Sequence, residues 1–164
     1  MDALFTKRVS IRKYQDRPVE PEKIEQMLRA AMTAPSAANQ QPWEFYVVTD
    51  PQIIRKLSYC TPYTGPARNA PLVFVACNRN NTRAAHMATQ DMGAAVQTMM
   101  LQAVLLDLGT VWMGIAPGEQ SMQNVRDIID MPTYLDPFCL VACGYPDEER
   151  PWVDRYDPGR VHYL

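Results

Sequence analysis

At 164 residues the chain has the length of one domain, enough to bury about two thirds of its unfolded surface. Its net charge of −2 leaves no electrostatic case for nucleic acid or an anionic membrane as partner. Four cysteines and two histidines, with no Cys-x-x-Cys, fit neither a disulfide scaffold nor a metal site. The opening residues lack an apolar leader run, so the expectation is a cytoplasmic protein with reduced thiols.

In chain order, Asp2 caps a short helix to about Lys7, and Arg8-Val-Ser-Ile-Arg12 follows. If that stretch is extended, Arg8, Ser10 and Arg12 share one face while Val9 and Ile11 face the core. Two guanidinium forks flanking a hydroxyl suit a phosphate monoester. A solvated basic strand fits the same pattern, and spacing alone favours it.

Ile24, Met27, Leu28 and Ala31 mark one face of a helix that begins near Pro21 and ends at Ala34-Pro35. The loop that follows, bounded by Pro35 and Pro42, offers Ser36, Asn39, Gln40 and free amides for reading the polar edge of a planar ring. The same residues also make an ordinary helix stop and turn. A strand over 44–49, a helix over 51–59 and a buried strand over 70–77 come next.

The stretch 91–109 is a helix, starting between Asn81 and Thr89, that is apolar nearly all round. Gln97, Gln102 and Asp107 argue against a membrane span. Covering such a helix takes a sheet on one side and a second layer or second subunit on the other; the reading is a sheet on one side and a dimer partner on the other. Gly109 reads as its left-handed stop. A strand over 110–116, a helix over 119–130 and a strand over 137–144 complete a core of residues 1–145. Gly114 lets backbone approach a ligand or another chain. Cys139 and Cys143, four apart, share one face of the last strand. The remainder, 146–164, is proline-rich and polar, an extended arm laid across something.

Four motifs, in this order, resemble the flavin-dependent nitroreductase family: Arg8-x-Ser-x-Arg12, Ala34-Pro-Ser-x-x-Asn-x-Gln-Pro-Trp43, Asp91-x-Gly-Ala-Ala-x-Gln97 and Trp112-x-Gly114. The tail Asp154-Arg-Tyr-Asp-Pro-Gly-Arg-Val-His-Tyr163 is similar to that family's C-terminal arm. The resemblance implies an α+β sandwich with a mostly antiparallel central sheet flanked by helices. It also implies an intertwined homodimer that exchanges the arm and holds FMN at the interface. Arg8, Ser10 and Arg12 would then hold the phosphate and pyrimidine edge, with Arg155 completing the phosphate site. Pro35, Ser36, Ala37 and Asn39 of the other subunit would line the ring, and Gly114 and Ile115 would offer backbone N–H groups near N5.

On this reading there is no protein nucleophile; the chemistry sits at flavin N5. NADH or NADPH would donate a hydride in a ping-pong cycle, and a nitroaromatic, quinone or similar small molecule would accept electrons. Reductive dehalogenation, flavin breakdown or a non-catalytic flavin store are the alternatives. Met92, Met99, Met100 and Met113 fit core positions better than soft contacts to the ring. Many relatives place a lysine two or three residues before the arginine that matches Arg155, where this chain has Trp152 and Val153. That departure leaves Arg8, Arg12 and Arg155 to carry the phosphate dianion and implies incomplete FMN occupancy.

Overall fold

The computed structural model describes residues 2–164, so the first residue of the expected 1–145 core lies outside it. Helix α1 (Ala3–Lys7) is capped by Asp2, whose carboxylate accepts the Leu4 N–H at 2.8 Å. Helix α2 (Pro21–Ala31) starts with proline in its first turn. Strand β1 (Trp43–Val48) leads to α3 (Pro51–Leu57), capped by the Asp50 carboxylate through the Gln52 N–H at 2.7 Å. Strand β2 (Leu72–Arg79), helix α4 (Ala88–Leu105), strand β3 (Gly109–Gly114), helix α5 (Glu119–Ile129) and strand β4 (Leu135–Gly144) follow.

The sheet order is β1-β2-β4-β3, every pairing antiparallel. Strand β2 is buried on both faces, which is why it reads as an unbroken apolar run. Leu72, Phe74 and Ala76 point into a core shared with α2 and α4, while Val73, Val75 and Cys77 point into a second core shared with α3 and α5. The result is a three-layer α+β sandwich, as expected. All four cysteines are free and buried, and Cys139 and Cys143 do lie in the same core. Met92, Met99, Met100 and Met113 are core residues, each at most 3 % exposed.

Helix α4 meets the sheet on one side, and α2 of the same chain covers another side, where a dimer partner alone was expected. A stripe stays open, with Gln97 and Leu105 exposed and Ala94, Leu101 and Val104 half-buried. The helix does not stop at Gly109. Asp107 takes the left-handed conformation at φ 59°, and the Leu108 N–H returns to Ala103 O at 2.9 Å, closing a Schellman turn. Gly109 serves close approach instead: a Cβ there would lie 2.7 Å from Ile11 Cβ. Among the described residues no helix is long and apolar enough to cross a membrane.

Candidate functional site

Residues 8–12 run along the outer edge of β3. Ser10 bridges Thr110 in parallel, and the Ile11 N–H donates to Thr110 O at 2.9 Å. Ile11 is buried at 6 % exposure, so strand alternation turns Arg8, Ser10 and Arg12 away from the core. Two contacts fix the segment beyond the bridge. The buried Tyr14 hydroxyl donates to Ile11 O at 2.6 Å, and burial pushes its phenol far above the ordinary range. Glu148 Oε1 accepts the N–H groups of Arg12 at 2.5 Å and Lys13 at 3.2 Å. The Arg12 N–H is the main reason the Glu148 carboxyl titrates below its usual value.

Arg8, Ser10, Arg12 and Arg155 line one cavity of about 240 Å³, together with Arg150, Trp152 and Val153 at the start of the arm. Among the described residues, Arg8, Arg12 and Arg155 take part in no ion pair. Their charge is therefore uncompensated, which makes the cavity receptive to an anion. Arg12 also lines a second cavity, of about 360 Å³, with Tyr63, Pro66, Trp112, Met113 and Gly114. Gly114 is exposed, and a Cβ built on it would meet nothing within 4 Å. Trp112, two residues before Gly114 on β3, makes an edge-on contact with Phe138, ring centroids 5.3 Å apart. Another cavity, of about 410 Å³, between Lys7, Val104, Asp107 and Glu149 contains none of the expected site residues.

One expectation needs correction. The Ile115 N–H is donated to Phe138 O at 3.1 Å, and Ile115 is only 3 % exposed. That amide is committed to the sheet and does not face a ligand, so Gly114 is left as the open end of the strand.

The loop after α2 lies elsewhere. Pro35, Ser36, Ala37 and Asn39 line neither cavity. Ala38, Asn39 and Gln41 all have φ near +50°, a conformation that costs a non-glycine residue about 1–3 kcal/mol. The loop is held in it by Asp91, buried in the first turn of α4. Asp91 accepts the Ala37 N–H at 2.9 Å and the Gln40 Nε2 at 2.6 Å. Ser36 Oγ in turn accepts the Gln41 N–H at 3.0 Å. Asn39 is exposed, and its side chain makes no hydrogen bond among the described residues. The chain thus gathers the arginines at one place and presents a rigid, strained loop at another.

Sequence reasoning missed Arg150, Tyr63 and the Asp91–Gln40 pair. A carboxylate inside an apolar helix was the available signal for the last. Arg150 was hidden in the charged run Asp147-Glu-Glu-Arg150.

Fold and cavities together define an α+β sandwich with an anion-receptive sheet edge. The nitroreductase family model matches residues 5–61 and 58–145, and the chain belongs to the nitroreductase family. It is 37% identical over 164 residues to an Archaeoglobus fulgidus protein provisionally named NADH dehydrogenase/NAD(P)H nitroreductase, covering 97% of this chain and 94% of that one. The crystal structure of a provisionally named NADH oxidase of Clostridium acetobutylicum superposes with a TM-score of 0.93 at 42% identity, covering 97% of each chain. An FMN-dependent nitroreductase of Clostridium difficile superposes with a TM-score of 0.93 at 31% identity, covering 99% of this chain and 98% of that one.

Proposed function

We propose that the chain is an FMN-dependent NAD(P)H oxidoreductase that works as a homodimer and reduces small acceptors such as nitroaromatics or quinones. The observation that carries this reading is the pair of cavities joined at Arg12. The donor set of the first fits a phosphate: three unpaired guanidinium groups and a serine hydroxyl offer more donors than a phosphate dianion has terminal oxygens. The second, flanked by an arginine, two aromatic side chains and an open glycine edge, fits a flat ring.

Arg8, Ser10 and Arg155 would hold the phosphate, and Arg12 would set its charge at the pyrimidine end of the ring, stabilising added negative charge there. When bound, the flavin supplies the redox chemistry, taking electrons from NADH or NADPH and passing them to the acceptor in turn. Gly114 would leave room along the strand end, with Ile115 packed behind it. Pro35, Ser36, Ala37 and Asn39 would reach the ring of the partner's flavin. Their separation from the arginine cavity within one chain supports that assignment.

The dimer is supported by two features of the single chain. Every residue from 151 to 164 is exposed, including Trp152, Tyr156, Tyr163 and Leu164, and α4 carries an open stripe ending at Leu105, 62 % exposed. A second copy would cover both, with the arm, 146–164, crossing over. Titrating apoprotein with FMN and with riboflavin, which lacks the phosphate, tests the site. FMN is expected to bind at least roughly 10-fold tighter, the worth of one charge-assisted contact. Equal affinity would overturn the phosphate assignment.

A further inference from the structure

We propose that Arg150 is a further phosphate-binding residue, held in place by Glu148, and that it supplies guanidinium N–H donors where Trp152 and Val153 supply none. The inference rests on the flavin reading above.

Arg150 lines the same cavity as Arg8, Ser10, Arg12 and Arg155. Its Nε donates to Glu148 Oε2 at 2.9 Å, and this is its one hydrogen bond among the described residues. A guanidinium group carries five N–H donors in a rigid fork. Anchoring Nε fixes the plane of that fork and leaves both Nη groups without a hydrogen-bond partner among the described residues, where Arg150 stands between this cavity and the one of about 410 Å³. The other oxygen of Glu148 accepts the Arg12 N–H. One carboxylate therefore ties the first residues of the arm to the strand segment that carries Arg8, Ser10 and Arg12.

That arrangement has two consequences. Glu148 sets the arm's starting position relative to the strand edge, so Arg150 and Arg155 arrive on the side where Arg8 and Arg12 already project. It also neutralises one charge of the four, leaving a cluster of net charge about three against a phosphate of about −2. The Glu148 side chain is only 10 % exposed while Arg150 is 46 % exposed, so the pair is anchored on the carboxylate side and open on the arginine side.

The test uses full-length apoprotein of the wild type and of Arg150→Gln, Arg150→Lys and Arg155→Gln, each titrated with FMN and riboflavin by flavin fluorescence. Arg150→Gln is expected to weaken FMN by roughly 10- to 100-fold while leaving riboflavin unchanged, and Arg150→Lys to recover part of that loss. FMN binding unchanged in Arg150→Gln but lost in Arg155→Gln would overturn the role of Arg150 and leave the flavin reading standing. Equal loss of both ligands in Arg150→Gln would also overturn it, since a phosphate contact cannot loosen riboflavin. A wild type that fails to prefer FMN over riboflavin would overturn both.

Discussion

Asp91 accepts the backbone N–H of Ala37 at 2.9 Å across a sequence separation of 54 residues, and so fixes the loop that the sequence marks as a ring reader. Asp91→Asn keeps the size but sets an amide against Gln40 Nε2. Gln40 cannot simply turn over, because both ends of its amide are already paired with the backbone of Ala84 at 2.9 and 3.0 Å. A hydrogen bond to a charged group is worth about 1.5–3 kcal/mol. Urea unfolding of Asp91→Asn should show a loss of that order together with weaker FMN binding. Unchanged FMN affinity would mean the loop does not touch the ligand.

Gly109 provides a second handle on the site. Adding a methyl group there drives into Ile11, and overpacking of this kind costs about 1–3 kcal/mol. Because Ile11 lies between Ser10 and Arg12, Gly109→Ala should lower both thermal stability and FMN affinity. Gly65→Ala, where a Cβ meets nothing within 4 Å, is the control and should stay within about 0.5 kcal/mol.

The architecture of the core was legible because β2 and α4 announce themselves: an unbroken apolar run of strand length and an apolar helix need no partner information. The edge segment was legible too, since alternation alone puts Arg8, Ser10 and Arg12 on one side. What failed depended on contacts made far along the chain. Gly109 reads as the α4 stop because glycine is the usual left-handed residue, whereas Asp107 takes that conformation and Gly109 is needed by Ile11. The Ile115 amide reads as free in the sequence because its acceptor, Phe138 O, is set by the course of β4. Arg150 reads as one charge among several until the arm's path brings it to Arg8.

Acid stability should depend on Glu20. The Tyr145 hydroxyl donates to its carboxylate at 2.6 Å, and this hydrogen bond is the leading cause that lowers its pKa from 4.5 to about 2. A carboxyl whose folded pKa is depressed adds stability above its unfolded value and loses it as pH falls through the folded one. The contribution is thus present above about pH 4.5 and drains away toward pH 2. Tyr145→Phe should move the acid unfolding midpoint, followed by circular dichroism, to higher pH. A midpoint that does not move would show that this contact adds nothing.

Deleting residues 151–164 removes Trp152 and Arg155 but no buried residue of the single chain. The truncated protein should keep its helical spectrum and lose both dimerisation in sedimentation and FMN binding. A truncated protein that stays dimeric and flavin-loaded would show the arm to be an ordinary tail.

The central claim is that this chain passes electrons from a nicotinamide through bound FMN to a small acceptor. It is tested most directly by adding NADH or NADPH anaerobically to the FMN-loaded protein and following the visible flavin absorption. At least one of the two should bleach the band, and subsequent nitrofurazone or menadione should restore it. A band that neither nicotinamide bleaches would contradict the claim and point to a protein that holds flavin without using it.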